Sequence, residues 1–446
     1  MHTDIVDAPD KGRFRVGRRE ALQSGAAWTL AVAAPTIVPA TALGRAGRAA
    51  PSERISLGFL GVGGRGRALL RGFLNCPEAQ CLAVCDPYTN RREATAAMIG
   101  GQAYPDFREV IAREDIDAVV IASPDHWHVL MAVAAARAGK HIYMEKPLGL
   151  TIEQDLVCRR VVRESGVVFQ YGTQHRSSPQ ARFGCELVRN GRIGEIRELE
   201  VRAVDGGAGG CTVEVPVPPE LDYDMWLGPA PLRPYTVDRC KTPGAFWIYD
   251  YSIGYLAGWG SHPLSILAWG CQLDLAGPLT VEGTGVIPKE GLYDTVYGWD
   301  VRIEFAGGAT LRFLPGGGPD GGSTRFVGTD GWVDVQRQLR SGGGVDAEPK
   351  SLLETSFDDQ DVRLVDSRRH DQNFLDAILG RQSAVASLED AVRSDILSHL
   401  SDIAVRTGRR ITWDPAKEAI VDDEEAAKML RRPMREPWTL SDVAED

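Results

Sequence analysis

The hexapeptide Gly61-Val62-Gly63-Gly64-Arg65-Gly66 has the spacing G-x-G-x-x-G, in which a bare backbone can approach a diphosphate. The first glycine permits a tight turn, the second lets N–H groups reach a pyrophosphate, and the third lets a helix pack closely on a strand. The helix that follows turns the positive end of its dipole toward the anion. Asp86 stands 25 residues after Gly61, at the end of the next apolar run. A carboxylate there accepts hydrogen bonds from a ribose and favours NAD, while Arg91 and Arg92 leave NADP open. A ligand-free glycine turn is the plainer reading; the strand before the motif and the helix after it argue against that reading.

Three further groups follow at regular intervals. Ser123-Pro124-Asp125-His126-Trp127-His128 comes after a buried-strand pattern, and a Pro turn with Asp125 capping the next helix explains part of it. Ser123, Pro124 and His128 are assigned to the cofactor side of the cleft, although His128 also reads as a packed histidine. Glu145-Lys146-Pro147 ends the next strand. A lysine beside a nicotinamide can orient a substrate hydroxyl and take its proton; a surface lysine in a turn is the ordinary alternative. Gln174, His175 and Arg176 offer polar side chains suited to a polyol. Trp247, Asp250, Tyr251, Trp259 and His262 fall within 16 residues. Aromatic rings with interleaved polar groups suit a carbohydrate, and an aromatic core stripe fits equally well. The eight cysteines form no C-x-x-C pair and no Cys/His cluster of zinc spacing, so no metal is expected and most read as small core residues. A Cys211–Cys240 bridge stays open.

The elements that must position these groups alternate. Strand patterns at 55–60, 80–85, 118–122, 141–144 and 167–171 are separated by helical stretches at 67–74, 91–98, 126–138 and 152–165. Thr151 with Gln154 forms a capping box opening the last of these. Strand and helix in alternation predict a doubly wound parallel sheet over 54–175, with Gly61, Ser123 and Glu145 at one edge. From 176 to 430 a helix (179–190) precedes strand patterns at 196–204, 279–286, 301–305, 310–314 and 331–335, with helices at 371–379 and 388–407. This predicts an α+β domain with a large antiparallel sheet, helices on one face. A tail covers 431–446.

The first 53 residues differ. A basic stretch containing Arg18-Arg19, a short apolar run and Ala40-Thr41-Ala42 come in the order of a twin-arginine export signal over 1–42, followed by a linker over 43–53. A periplasmic location is the expectation, and outside the cytoplasm a nicotinamide enzyme has no free pool of cofactor to exchange with. The formal charge of −11 argues against nucleic acid as a partner, and no segment of the mature chain predicts a membrane span.

Taken together, G-V-G-G-R-G, S-P-D-H-W-H, M-E-K-P-L, G-T-Q-H-R, D-M-W-L-G-P (224–229) and V-G-T-D-G-W (327–332) resemble the glucose-fructose oxidoreductase / inositol dehydrogenase / rhizopine catabolism (Gfo/Idh/MocA) family. The resemblance implies a Rossmann domain, a C-terminal sheet domain that often forms oligomers, sugar or cyclitol substrates, and Lys146 and His262 beside the nicotinamide as the catalytic pair. The family pattern places Asp four residues before that histidine and often three after it; here these are Gly258 and Ser265. Three activities are expected in order: an NAD(P)-dependent oxidoreductase on a carbohydrate hydroxyl with tightly held cofactor, a redox-neutral NAD-dependent glycosidase, and a non-catalytic carbohydrate-binding protein.

Overall fold

Apolar runs flanked by glycine and polar turns become the strands of the first domain. The computed structural model describes residues 53–271, 277–316, 322–336 and 344–440. The leader expected at 1–42, most of the linker, and residues 441–446 of the tail lie outside the described residues.

The first domain runs β1 (Ile55–Leu60), α1 (Gly64–Leu74), β2 (Ala79–Cys85), α2 (Thr89–Ile99), β3 (Gln102–Tyr104), α3 (Phe107–Ile111) and β4 (Ala118–Ile121). It continues through α4 (His128–Arg137), β5 (His141–Met144), α5 (Ile152–Ser165) and β6 (Phe169–Tyr171). All six strands are parallel, in the order β3-β2-β1-β4-β5-β6. Every residue of β1 and β4 is buried, as strands covered by helices on both faces must be. The chain grows outward from β1 in one direction and from β4 in the other, so a crevice opens beyond their carboxyl ends. The start and stop signals of α5 act as read: the Thr151 hydroxyl accepts from Gln154 N, and Gly166 closes the helix in the left-handed region at φ 67°.

The second domain begins with α6 (Pro179–Arg189) and β7 (Ile196–Arg202), then makes a long excursion containing α7 (Tyr223–Leu227), α8 (Tyr255–Gly258) and α9 (Ser261–Gly270). It returns through β8 (Leu279–Val286), β9 (Gly298–Phe305), β10 (Thr310–Leu314), β11 (Ser323–Gly328), β12 (Trp332–Gln336) and β13 (Gly344–Glu348). The last elements are α10 (His370–Ile378), α11 (Leu388–Thr407), β14 (Ile411–Asp414), β15 (Ala419–Val421) and α12 (Glu424–Lys428). Nine strands form one sheet in the order β13-β12-β11-β7-β10-β9-β8-β14-β15. The expectation of an antiparallel sheet needs one correction: β7 and β10 pair in parallel, which makes the sheet mixed. The excursion between β7 and β8 gives the chain the length that a parallel neighbour requires.

Helices α6, α9 and α11 cover one face of this sheet. On the other face Asp300 pairs with Arg312 at 2.7 Å and Glu304 with Arg410 at 2.6 Å. The two domains share a core: α11 packs on α5 and α9, while Phe374 of α10 meets Phe73 of α1 edge to face, with ring centroids 6.2 Å apart. Residues 431–440 are a strap, not a free tail. Trp438 packs against Trp127 (4.7 Å between centroids) and Phe107, and Arg435 Nε donates to the Gly228 carbonyl at 2.8 Å. All eight cysteines carry free thiols, so the Cys211–Cys240 bridge does not form.

Candidate active site

The glycine turn is built by close backbone approach. Gly61 has φ 90°, and a Cβ there would lie 2.6 Å from the Ala122 carbonyl oxygen. A Cβ on Gly66 would lie 2.0 Å from the Gly61 carbonyl oxygen. Around Gly64, by contrast, no atom of the described residues lies within 4 Å of such a Cβ. The ledge at the start of α1 is therefore open where a diphosphate would rest, and closed where helix meets strand. Asp86 serves the turn as well as facing the cavity: Oδ2 accepts from Val62 N and Oδ1 from Tyr88 N, each at 2.9 Å. Burial pushes its carboxyl up, opposed by those two amides. Each carboxylate oxygen keeps a second lone pair for a ribose hydroxyl. Arg91, stacked 3.7 Å from the Tyr88 ring centroid, also borders this space.

From the turn, a cavity of about 580 Å³ runs along the carboxyl edge of the parallel sheet into the second domain. Of the residues singled out in the sequence, Gly61, Gly63, Gly64, Arg65, Asp86, Ser123, Pro124, Glu145, Lys146, Gln174, Trp259 and His262 all border it. Glu145 organises its floor. Its Oε1 accepts from Arg65 Nε at 2.8 Å and from Gln174 Nε2 at 2.9 Å, so one buried carboxylate links the phosphate turn to the end of β6. Lys146 extends from the end of β5 across the domain boundary, donating from Nζ to the Gly258 carbonyl, with Nζ 5.9 Å from the Trp259 ring centroid. His262, in the first turn of α9, is buried with its ring 5.8 Å from that of Trp259. Lys146, Trp259 and His262 thus meet at the end of the cavity away from the glycine turn.

Several expected residues lie elsewhere. Gly66 is under the turn, in contact with Gly61 and away from the cavity. His128 is a brace: Nδ1 lies 2.6 Å from the Pro147 carbonyl and Nε2 3.0 Å from that of Ser123, tying the ends of β4 and β5 together. His175 is buried in the short helical turn after β6. Arg176 is 1% exposed and committed to Asp390 (2.6 Å) and to the Ser265 hydroxyl and carbonyl (2.8 and 2.6 Å). Ser265, standing where the family pattern often has Asp, thereby serves Arg176. Trp247 packs on Tyr255 and Tyr293. Asp250 forms a surface pair with Arg233 at 2.9 Å and does not replace the carboxylate missing at Gly258. Tyr251 is a core residue whose hydroxyl accepts from Arg239 at 3.0 Å.

Sequence reasoning missed one carboxylate. The S-P-D pattern predicts Asp125 as a helix cap, yet no side-chain cap bond forms at the helical turn over 125–127 or at the start of α4. The side chain instead borders the cavity, buried, and among the described residues its Oδ2 has no hydrogen-bond partner. Burial pushes its carboxyl up, with His128, Ser252 and Lys146 acting against that. The S-P-D spacing fits a cap and a cavity group equally, so the pattern alone held no signal. Trp226, which also borders the cavity, appeared only within D-M-W-L-G-P.

Beside the cavity, His126 is enclosed by Trp226 and Tyr251, with Nε2 3.0 Å from the Trp226 carbonyl, and burial pushes it down to about 4. Its unfolded value is about 6.5, so the unfolded chain takes a proton that the native state refuses. This group's contribution is fully present above that value and is lost as pH falls from about 6.5 toward 4, by roughly 1.4 kcal/mol per pH unit. His126→Gln keeps a donor for the Trp226 carbonyl and removes the titration. Denaturant unfolding at several pH values should show the gap between wild type and variant changing by that slope. A constant gap from pH 7 to pH 4.5 contradicts the expectation.

Two profiles of known proteins cover the chain. An oxidoreductase-family NAD-binding Rossmann fold matches residues 55–173, and an oxidoreductase-family C-terminal alpha/beta domain matches 207–440. Among curated proteins, an inositol 2-dehydrogenase of Rhizobium meliloti is 30% identical over 154 residues, 34% of this chain and 46% of that protein. A glycosyl hydrolase family 109 protein of Saccharopolyspora erythraea is 36% identical over 112 residues, 23% of this chain and 24% of that protein. The chain thus matches under half the length of each. The crystal structure of GenD2 from gentamicin A biosynthesis, in complex with NAD, superposes with a TM-score of 0.60 at 20% identity, covering 81% of this chain and 96% of that one. With both halves matched around an NAD-binding turn, the chain belongs to the Gfo/Idh/MocA oxidoreductase family.

Proposed function

We propose that the cavity dehydrogenates a carbinol hydroxyl of a sugar, cyclitol or related polyol, with NAD held tightly and recycled in place. The observation that carries this reading is the meeting of Lys146, His262 and Trp259 at the far end of the cavity that begins at the glycine turn. A bound nicotinamide supplies the hydride acceptor. Gly61, Gly63 and Gly64 would hold its diphosphate and Asp86 a ribose. Lys146 orients the substrate hydroxyl and takes its proton, with His262 as the other candidate base. The Gly258 carbonyl fixes the lysine head, and Trp259 offers an aromatic face to a sugar ring. The leader expected at 1–42 supports twin-arginine export to the periplasm, where tight retention of cofactor has a purpose. The open face of the nine-stranded sheet is the surface on which a homo-oligomer would form.

A redox-neutral variant, glycosidic cleavage with no net change in the cofactor, is the second reading. It is favoured by Gly258 in place of the family carboxylate and by the likeness to a family 109 glycosyl hydrolase. The test is to denature the purified protein and identify the released nucleotide by absorbance and mass. The holoenzyme is then offered cyclitols, aldoses and aryl glycosides. Stoichiometric NAD(H) with substrate-dependent reduction supports the dehydrogenase; free sugar without net reduction supports the glycosidase. A clean apoprotein that binds neither NAD nor NADP in titration removes both, leaving carbohydrate binding alone.

A further inference from the structure

Behind the Lys146 loop and outside the cavity, three ionisable side chains meet in the interior. Asp155 comes from α5 of the first domain; Asp395 and His399, one turn apart, come from α11 of the second. One ligand-capable atom from each lies within 4.8 Å of the other two, and His399 Nε2 is 3.5 Å from Asp155 Oδ2. Both carboxylates are wholly buried and the imidazole is 4% exposed.

The hydrogen bonding around them is uneven. Asp395 is held on both oxygens, Oδ1 by the Tyr171 hydroxyl at 2.8 Å and Oδ2 by Leu148 N at 2.5 Å. Among the described residues neither oxygen of Asp155 has a hydrogen-bond partner, and nor does His399 Nε2. The Gly149 amide faces Asp155 without closing a hydrogen bond, and the Gly149 carbonyl engages the imidazole. Arg159, the basic residue one turn along α5, is paired with Glu418, and Arg406, a turn beyond Asp402 on α11, is paired with Asp402. Two carboxylates in so dry a space demand positive charge; among the described residues the nearest guanidiniums, Arg159 and Arg432, act on the cluster only through space, the first paired with Glu418 and the second donating to the Tyr249 carbonyl.

We propose that Asp155, Asp395 and His399 hold a divalent transition cation, with Zn²⁺ the ion whose chemistry fits best. Two carboxylates neutralise a dication, and an imidazole Nε2 lone pair adds the nitrogen that favours zinc over calcium or magnesium. Zinc draws such ligands to about 2.1 Å, which closes the observed separations. Tyr171 and the Leu148 amide are the outer groups that orient Asp395, and the Gly149 carbonyl orients His399. The ion would clamp α5 of one domain to α11 of the other and steady the backbone two residues from Lys146. It takes no part in hydride transfer, and its presence does not depend on what fills the cavity.

The test is elemental analysis of the purified full-length chain, before and after incubation with excess Zn²⁺ and desalting, alongside Asp155→Asn. The expected result is close to one zinc per chain in the wild type and under a tenth of that in the variant, with NAD content equal in both. Removing the ion with a strong chelator should lower the thermal midpoint of the wild type by roughly 5 °C and leave that of the variant unmoved. Should Asp155→Asn not fold, the wild-type loading and chelation measurements decide alone. A wild-type chain that stays metal-free after incubation, with a midpoint indifferent to Zn²⁺, overturns the proposal and leaves a protonated Asp–His–Asp cluster. Full zinc retention in a folded Asp155→Asn overturns it equally.

Discussion

Lys146→Met should lower turnover roughly a thousandfold while leaving the bound cofactor in place. The substitution removes the Nζ amino group and keeps most of the side-chain volume, so the wall beside Trp259 stays filled. The cofactor contacts proposed at the glycine turn and Asp86 lie at the other end of the cavity. The measurement is single-turnover reduction of the bound nicotinamide on whichever polyol reduces the wild type, with nucleotide content from denatured samples as control. Loss of turnover together with the nucleotide would mean that Lys146 holds the cofactor; retention of turnover would pass the base to His262. Asp125→Asn is the informative companion. The cavity carboxylate that burial pushes up is the only titrating change in that variant. If Asp125 shares in the proton path, the pH profile of turnover shifts while cofactor content does not.

Gly66→Ala and Gly64→Ala should fail in opposite ways, although they sit two residues apart in one helix. At Gly66 the new methyl would stand 2.0 Å from the Gly61 carbonyl oxygen, a backbone atom in the tightest part of the turn. Helix α1 must then move off β1, at a cost on the order of 3 kcal/mol, and the ledge for the diphosphate goes with it. At Gly64 a methyl meets no atom of the described residues within 4 Å, and alanine is the better helix former. The apoprotein should therefore keep its thermal midpoint, while NAD affinity falls by about a hundredfold because the methyl occupies the ligand's space. Thermal unfolding and NAD titration of both variants check this. Equal affinity in wild type and Gly64→Ala would show that no diphosphate lies on the ledge.

The parallel sheet was legible because its central strands are continuous apolar runs bounded by turns, a pattern that period and length identify. Helix α5 was legible from Thr151, Gln154 and Gly166. Strand β3 was not: one exposed and two half-buried residues at a sheet edge carry no periodic signal. Strands β13 and β15 are short and lie toward the edges of their sheet, and the same reason applies. At the site, residues whose backbone positions are fixed by strand ends came out where expected: Gly61, Ser123, Glu145, Lys146. After the last strand the outcome is mixed: Gln174, Trp259 and His262 border the cavity, while His175, Arg176, Trp247, Asp250 and Tyr251 do not. The type of Arg176 suits a polyol, but the short helical turn that carries it points the guanidinium inward to Asp390 and Ser265. Asp250 and Tyr251 are adjacent in sequence and end in different surroundings, one paired at the surface and one in the core. Residue type announces chemistry; only the local backbone decides which way it faces.

The strap formed by residues 431–440 bears on how the protein is made. Trp438 backs Trp127 and Phe107, two residues that line the cavity wall, and Arg435 secures the turn after Trp226, which lines it too. The Trp438 contacts join the final segment of the described chain to side chains from its first third. A ribosome therefore finishes the parallel sheet, glycine turn included, long before it delivers the piece that backs one wall. During that interval the nascent domain can shape its nucleotide ledge but not the closed vessel around it. Full grip on a ligand waits for residues 431–440, and removing them as harmless trimming would return the protein to that unfinished state.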